Sequence, residues 1–390
     1  MIEKSHLAPT SPYPIGLNIV EAEGIYVVDA DGRKYMDMIS GVGVSALGHG
    51  NRRIKDAISA QLDRHAHVMV YGEFHQGIQE AFAKKLCGLL PTPLDMVYFT
   101  NSGTEAVEAA LKLAKRVTGR TRLVAARKSY HGSTHGSLSV SGNEVKKNAF
   151  RPMLPEVYFM EFNDMDSLSL IDEHTAGVII ETIQGDAGVR IPSQEWMMAL
   201  RTRCNETGAM LILDEIQCGL GRCGTWWAFE PFGLVPDILT LGKALGAGLP
   251  IGACVASSTL LSQFAHDPVL GHITTFGGHP VICAAGLAGL KELEERRLVE
   301  GVNAKGQLLH DLLIQHPAIV EIRYRGLFFA VELQGEDEVM QVVSGCLENG
   351  LIGFYFLSHR SAFRLAPPFT ITEEEIRRAA EIITEQLNRL

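Results

Sequence analysis

The stretch DILTLGKALGAGLPIG, residues 237–252, passes from an apolar run into a glycine-rich turn at Lys243. The run Ile238 to Leu241 is short and apolar, which is typical of a buried strand. Small residues surround the lysine and leave room for a flat ring: Gly242, Ala244, Gly246 and Gly248. An amine with this clearance, just beyond a strand, indicates a lysine that reacts with a carbonyl compound.

A second apolar run, Met210 to Asp214, ends in an aspartate upstream of this lysine. A buried carboxylate there is the group expected to keep a pyridine nitrogen protonated, which makes the ring an electron sink. Pyridoxal 5'-phosphate (PLP) is the cofactor that needs both groups. The two strand ends therefore predict a PLP site with Lys243 and Asp214 as catalytic residues.

Further apolar runs alternate with helical patterns along the chain: Met96 to Thr100, Arg122 to Ala126, Val157 to Met160 and Gly177 to Glu181. This alternation predicts an α/β fold around a mostly parallel sheet.

Both chain ends have a different pattern. Residues 20–40 predict a hairpin around Asp31-Gly32. From about Pro280 onward, amphipathic helices are predicted at Lys291 to Leu298 and Glu373 to Leu390, around strands near Ile319 to Arg323 and Phe328 to Leu333. The predicted division is a large PLP-binding domain at 45–278 and a small domain built from 1–44 and 279–390.

Composition excludes several classes of function. The chain has 390 residues, 46% hydrophobic and 21% charged, which is typical of a globular protein of two domains. A net charge of −10 without a long basic run predicts no nucleic-acid or membrane partner. Seven scattered cysteines, with no signal-peptide pattern and no spanning apolar run, lead us to expect a cytoplasmic location.

A phosphate site is predicted where the run ending at Thr100 passes through NSGTE, residues 101–105, into a helix from Ala106 to Arg116. Backbone N–H groups and the helix dipole would converge at Gly103 and Thr104. Taken alone, Ser102 and Glu105 are better explained as a capping box that needs no ligand. The phosphate interpretation depends on the lysine and aspartate found later in the chain.

Tyr130, in the segment KSYHGSTHG at 128–136, is predicted to stack on one face of the cofactor. The histidines nearby and at positions 65 and 67 lack a carboxylate or thiolate companion, so no metal site is predicted.

Two motifs suggest nucleotide binding but lack the required context. GLGRCG, residues 219–224, matches a dinucleotide fingerprint, yet the aromatic, proline-broken segment after it is unsuited to a crossover helix. Gly242-Lys243 resembles the end of a P-loop, but Ala244 replaces the required hydroxyl residue.

Seven segments are specific when taken together: NSGTEA at 101–106, YHG at 130–132, ETIQGDAG at 181–188, LDEIQCGLGR at 213–222, LGK at 241–243, TTFGGHP at 274–280 and RLAPP at 364–368. With them, nearly the whole chain resembles the class III PLP-dependent aminotransferases, particularly the ornithine, acetylornithine and 4-aminobutyrate group. The resemblance implies fold type I, in which a mostly parallel seven-stranded sheet forms the large domain beside a smaller α+β domain.

The resemblance also implies cofactor contacts. Lys243 would carry PLP and move the substrate proton, Asp214 would pair with the ring nitrogen, and Gln217 would contact the phenolic oxygen. The remaining cofactor-binding set is Ser102, Gly103, Thr104, Tyr130, His131, Glu181 and Thr275. Because Thr275 resembles a phosphate contact donated by the neighbouring subunit, a homodimer with shared active sites is expected.

For the substrate, the resemblance implies that Arg364 clamps a carboxylate through two parallel hydrogen bonds. Ser133 replaces an arginine of the acetylornithine and 4-aminobutyrate enzymes, and is more similar to ω-amino acid:pyruvate aminotransferases. Asp186 replaces a glutamate that pairs with the clamp in ornithine-type enzymes, and its shorter side chain is expected to reach Arg364 poorly. Thr274 completes the predicted substrate-binding set.

The resulting hypothesis is a ping-pong transaminase. It takes an amino group from an ω-amine or amino acid, ornithine-like or acetylornithine-like or another ω-amino acid, and gives it to 2-oxoglutarate or pyruvate. The alternatives are an aminomutase of the glutamate-1-semialdehyde type and a catalytically silent PLP-fold binding protein. Arg364 and the position of Asp186 argue against the first, and Lys243 with Asp214 against the second.

Overall fold

The computed structural model describes residues 6–390, so residues 1–5 of the predicted small domain lie outside the described residues. The strands are β1 (Ile19–Glu23), β2 (Tyr26–Asp29), β3 (Lys34–Asp37), β4 (Met96–Thr100), β5 (Arg122–Ala126), β6 (Val157–Met160), β7 (Thr175–Glu181), β8 (Met210–Asp214), β9 (Ile238–Gly242), β10 (Gly252–Ala256), β11 (Glu321–Arg325), β12 (Phe328–Glu332), β13 (Leu351–Ile352), β14 (Phe354–Tyr355) and β15 (Ala362–Leu365). The helices are α1 (Ser40–Gly43), α2 (Arg52–Leu62), α3 (Gly77–Cys87), α4 (Gly103–Thr118), α5 (His135–Val140), α6 (Glu144–Lys147), α7 (Gln194–Thr207), α8 (Ser258–Leu261), α9 (Pro280–Glu295), α10 (Leu298–Leu313), α11 (Glu336–Glu348) and α12 (Glu373–Leu387).

A seven-stranded sheet organises the large part of the chain, in the order β4-β10-β9-β8-β7-β5-β6. Strands β5 to β9 pair in parallel, whereas β10 is antiparallel to both β4 and β9. The predicted α/β class and mostly parallel sheet are confirmed. The six strands predicted from apolar runs are present, but the run that forms β10 was not recognised.

Alternate residues of the central strands face two separate cores. Val178 and Ile180 of β7 pack in the cluster that contains Trp196 of α7. Ile179 packs on the opposite face, in the cluster that contains Leu111 of α4. Every residue of β7 is buried, which explains why it is a continuous apolar run rather than an alternating one.

Four strands of the large sheet end at one edge of it. Glu181, Asp214 and Gly242 end the parallel strands β7, β8 and β9. Thr100 ends β4, which runs in the same direction because β10 is antiparallel to both it and β9. Carboxyl ends of parallel strands are where α/β sheets form their sites.

Helix α4 begins at this edge with half of the expected capping box. The Ser102 Oγ accepts a hydrogen bond from the backbone N–H of Glu105 at 3.4 Å. The Glu105 carboxylate reaches back to the backbone N–H of Asn101 at 2.7 Å, one residue before the cap. The cap interpretation of Ser102 is therefore confirmed for its own hydroxyl, while the reciprocal bond has moved to Asn101.

Two smaller sheets, each of four strands, contribute residues to a third hydrophobic cluster. One has the order β1-β2-β3-β13, and β2 with β3 forms the hairpin predicted around Asp31-Gly32. The other has the order β11-β12-β15-β14 and is antiparallel. The third cluster joins Met36 and Leu351 to Phe329, and it also includes Ile54 from the predicted large domain. The predicted domain limits stay a prediction.

One predicted helix of this region is wrong in its bounds. The pattern from Lys291 to Leu298 is divided, because α9 ends at Glu295 and α10 starts at Leu298. Arg297 between them has a left-handed backbone, with φ of 52°. Neither glycine nor proline marks this break in the sequence. Among residues 6–390, no helix has the length and apolar character needed to cross a membrane.

Candidate active site

A cavity of about 270 Å³ opens beside the ends of β4, β7, β8 and β9. Its lining brings together nine of the predicted site residues: Gly103, Thr104, Tyr130, His131, Ser133, Glu181, Asp214, Gln217 and Lys243.

The other predicted residues lie outside this lining. Ser102 caps α4 one residue before it. Thr274 accepts a hydrogen bond from the Gly277 backbone N–H at 2.7 Å, and Thr275 is exposed. Asp186 and Arg364 are buried together, with 6% and 5% of their surfaces exposed.

Lys243 follows β9 directly and has a positive φ of 45°. Desolvation lowers the pKa of its amine, and the positive charge of Arg364 lowers it further, whereas the carboxylates of Asp214 and Glu181 raise it. The net shift is downward, so a larger fraction of the amine is unprotonated near neutral pH than in an exposed lysine. An unprotonated amine is what a nucleophilic lysine needs.

Asp214 is held by two donors before any ligand is considered. Its Oδ2 lies 2.7 Å from Nδ1 of His131, and its Oδ1 accepts from the backbone N–H of Ile216 at 3.1 Å. His131 is held in turn, because its backbone N–H donates to the Ser141 hydroxyl at 3.0 Å. The carboxylate at the end of β8 therefore has a defined orientation.

Glu181 connects two loops of the site. Its carboxylate accepts hydrogen bonds from the backbone N–H groups of Tyr130 at 3.1 Å and Gly185 at 3.0 Å. Burial raises the pKa of this carboxyl to about 7, although His131 and the two backbone donors act in the opposite direction. The residue that was predicted as a cofactor contact thus also fixes the backbone that carries Tyr130.

Two glycines at and beside the start of α4 are packed closely against neighbouring side chains. A Cβ on Gly103 would lie 2.8 Å from Cδ1 of Ile216. A Cβ on Gly132, where φ is +129°, would lie 2.3 Å from Oγ1 of Thr104. The Thr104 hydroxyl is fixed by hydrogen bonds to Thr134 Oγ1 at 2.9 Å and Ser137 Oγ at 2.6 Å.

These features fit PLP. The N-terminus of a 16-residue helix supplies N–H groups and a positive dipole for a phosphate at Gly103 and Thr104. Asp214 supplies a carboxylate within the same cavity, Tyr130 an aromatic ring and Lys243 an amine.

Asp186 contacts Arg364, contrary to the expectation that its side chain is too short. Its Oδ1 lies 3.0 Å from Nη2 of Arg364. The reason is a tight loop between Gln184 and Arg190, whose backbones pair in both directions at 3.0 and 2.9 Å. This loop carries the carboxylate to the guanidinium, so side-chain length alone was a poor guide.

Ser133, the residue that replaces the arginine of the acetylornithine and 4-aminobutyrate enzymes, lines the cavity. Its hydroxyl lies 3.4 Å from the Tyr130 hydroxyl, a weak contact between two neutral groups.

Four residues of the lining were not predicted: Gly132, Ile183, Ile216 and Cys218. Gly132, Ile216 and Cys218 are next to predicted residues in sequence, and that adjacency was the available signal. Ile183 follows β7 and lies within the quoted segment ETIQGDAG at 181–188, two residues after Glu181. Within residues 6–390, no cluster of histidine, cysteine, aspartate and glutamate is arranged to hold a metal ion.

Comparison with known proteins agrees with this geometry. Residues 8–387 match the family described as Aminotransferase class-III. The chain is 40% identical over 324 residues to a [LysW]-aminoadipate semialdehyde/glutamate semialdehyde transaminase of Sulfurisphaera tokodaii, with 82% of each chain covered. It is 36% identical over 391 residues to an acetylornithine aminotransferase of Methanopyrus kandleri, covering 99% of this chain and 98% of the relative.

Among solved structures, the ornithine aminotransferase from Toxoplasma gondii superimposes with a TM-score of 0.89 at 30% identity, over 97% of this chain and 91% of that one. That structure has PLP at partial occupancy in its active site. The predictions of family, fold, enzyme class and cofactor are confirmed. The chain belongs to the class III aminotransferases and is a PLP-dependent transaminase of fold type I.

Proposed function

We propose that this transaminase moves an amino group from an ω-amine or amino acid to a 2-oxo acid, 2-oxoglutarate or pyruvate, by a ping-pong mechanism. The observation that carries the proposal is the state of Arg364. The residue is 5% exposed, and among residues 6–390 its side-chain hydrogen bonding consists of one bond to Asp186. A guanidinium has five N–H donors, and leaving them unpaired in a buried place is costly.

A substrate carboxylate supplies the missing acceptors. Carboxylates bind arginine through two parallel charge-assisted hydrogen bonds, which give orientation as well as energy. A 2-oxo acid always carries such a carboxylate next to its reacting carbon. Arg364 is near enough to Lys243 for its charge to lower the pKa of that amine.

Bound PLP supplies an electron sink for charge that develops on the substrate carbon. The Lys243 Nζ, with its lowered pKa, would accept the proton from that carbon and would deliver it to the carbon of PLP that carried the aldehyde. Asp214, oriented by His131 and the Ile216 N–H, would place its negative charge at the ring nitrogen. Tyr130 would cover one face of the ring and limit its tilt.

The remaining cofactor contacts follow the same assignment. Gly103 and Thr104 would bind the phosphate at the start of α4, with Ser102 as the cap, and Gln217 would bind the phenolic oxygen. Thr275 is exposed, as expected of a residue that completes a second subunit's site. We therefore include in the proposal a homodimer in which Thr275, with Thr274 beside it, serves the partner.

The donor is proposed to react through an ω-amino group. With Ser133 in place of a second arginine, the far end of the donor meets a neutral hydroxyl pair rather than a second guanidinium. The relatives reported above are named for acetylornithine and for [LysW]-aminoadipate semialdehyde and glutamate semialdehyde, which carry an ω-amine or an ω-aldehyde.

The test is a pair of half-reactions followed by absorbance of the bound cofactor. Ornithine, N-acetylornithine, 4-aminobutyrate, β-alanine, glutamate and alanine are added singly to the holoenzyme. We expect an ω-amine to abolish the visible band and 2-oxoglutarate or pyruvate to restore it. A substrate that is isomerised without any oxo acid, or a band that no oxo acid restores, would contradict the proposal. The Lys243→Ala variant is the control for non-enzymatic exchange.

A further inference from the structure

Asp186 receives hydrogen bonds from three directions. Oδ1 accepts from Nη2 of Arg364 and from the backbone N–H of Leu357, both at 3.0 Å. Oδ2 accepts from the Ser358 hydroxyl at 2.7 Å. Oδ1 is thus shared by Arg364 and Leu357, whereas Oδ2 is bonded to Ser358 and not to Arg364.

The direction of the Ser358 bond is settled by Asn143. The Asn143 Oδ1 accepts from the backbone N–H of Val145 at 3.1 Å, so its amide nitrogen faces Ser358. That nitrogen donates to the Ser358 Oγ at 2.9 Å. The Ser358 hydroxyl, already accepting, uses its single proton for Asp186.

The backbone on the Asp186 side is also fixed. Besides the paired backbones of Gln184 and Arg190, the carbonyl oxygen of Gly188 accepts from Nε of Arg323 at 2.7 Å. A Cβ on Gly188 would lie 2.7 Å from the ring of His359, so the loop is closely packed at this position. The orientation of the carboxylate therefore depends on its hydrogen bonds rather than on loop movement.

Arg364 has a buried donor that Asp186 does not use. Its Nε has no hydrogen-bond partner among residues 6–390, although Nη2 of the same planar group is bonded to Asp186. Without the Ser358 hydroxyl, Oδ2 would be a buried acceptor with no donor, since Asp186 is 6% exposed. Asp186 Oδ2 and Arg364 Nε would then both be buried and unpaired, and a hydrogen bond between them would satisfy both. Asp186 would in that case bind Arg364 through both of its oxygens.

We infer that Ser358, oriented by Asn143, is a positioning residue that keeps Asp186 on one nitrogen of Arg364 and so leaves the guanidinium able to bind a substrate carboxylate. The inference rests on the proposed function of Arg364. Ser358, between β14 and β15, would thus contribute to specificity for substrates that carry a carboxylate. It would act through Asp186 and not by contact with the substrate.

The test compares Ser358→Ala with two controls. Ser358→Thr retains the hydroxyl. Ser361→Ala removes a serine hydroxyl from the same segment that donates to Glu332 instead of Asp186. For each holoenzyme we would measure KM and kcat with a 2-oxo acid and with an aldehyde acceptor that has no carboxylate. The dissociation constant of glutarate, an unreactive dicarboxylate, is measured by calorimetry.

We expect Ser358→Ala to raise the KM of the 2-oxo acid and the dissociation constant of glutarate about 10-fold, near the low end for a hydrogen bond to a charged group. Its kcat and its KM for the aldehyde should stay within about twofold of the wild type, and both controls should match the wild type. Equal losses with the aldehyde, equal losses in Ser361→Ala, or no change in Ser358→Ala would overturn the inference.

The same data test the role of Arg364 and the role of Ser358 separately. A wild-type enzyme that uses the aldehyde as well as the 2-oxo acid, and does not bind glutarate, would overturn the carboxylate role of Arg364 and this inference with it. A wild-type enzyme that prefers the 2-oxo acid, with Ser358→Ala unchanged, would overturn the inference alone.

Discussion

Replacing Arg364 by lysine should separate charge from geometry in substrate binding. Lysine keeps a positive charge beside Asp186, which lies 3.0 Å from the guanidinium, but lacks the planar fork. Arg364 is 5% exposed, so water gives little compensation for a lost hydrogen bond. The variant should therefore lose binding energy specifically for ligands that use two N–H groups at once.

The expected loss of binding energy is that of one charge-assisted hydrogen bond, because lysine can replace one of the two bonds that a guanidinium makes to a carboxylate. Such a bond contributes about 1.5–3 kcal/mol, which is about 10- to 150-fold in kcat/KM. The assay is kcat/KM for 2-oxoglutarate and pyruvate with a saturating donor. An aldehyde acceptor without a carboxylate is the control, and its kcat/KM should stay within about threefold. Equal losses for oxo acids and aldehyde would refute the assignment of Arg364 to the carboxylate.

Three further substitutions test the site from other sides. Asp214→Asn should lower turnover about 100-fold or more at equal PLP occupancy, because the ring nitrogen loses its anionic partner; comparable turnover at matched occupancy would contradict this. Glu181→Gln should change the pH dependence of apo-protein stability. The pKa of Glu181 is raised from 4.5 to about 7, so the folded chain holds this proton more tightly than the unfolded chain. The stability it contributes is complete below pH 4.5 and is lost as pH rises through 7, by about 3 kcal/mol. Urea unfolding from pH 4.5 to 7.5 should show that slope in the wild type and less of it in the variant, and parallel curves would refute it. Gly132→Ala should weaken PLP binding about 10-fold or more by displacing Thr104, as measured by cofactor titration. Gly233→Ala, with positive φ but open space around it, is the control, and an equal loss there would show that backbone strain alone is responsible.

Much of the sheet and of the cavity could be predicted from the sequence. The strands at 210–214 and 238–242 are short apolar runs bounded by turn residues, and they are buried on both faces. Their ends place Asp214 and Lys243 at one edge of the sheet without any knowledge of side-chain positions. Strand β10 was missed because it follows the glycine- and proline-containing turn and reverses direction, and only pairing with β4 and β9 defines it.

The contacts around Arg364 could not be predicted from spacing. Its distance to Asp186 depends on a loop closed by backbone pairing, and on the register of β15, in which Arg364 lies opposite Ala330 of β12. Ser358 and Asn143 are 215 positions apart in sequence, and no local pattern predicts that they meet. Such long-range polar contacts need the folded chain.

We propose that PLP binds and amino transfer occurs in the cavity at Lys243. Borohydride reduction of the holoenzyme, followed by peptide mapping in a mass spectrometer, tests it most directly, because reduction fixes a carbonyl–amine linkage in place. We expect one cofactor-derived mass increase per chain, on the peptide that contains Lys243, and none in Lys243→Ala. A label on another lysine, or no label on a catalytically active protein, would contradict it.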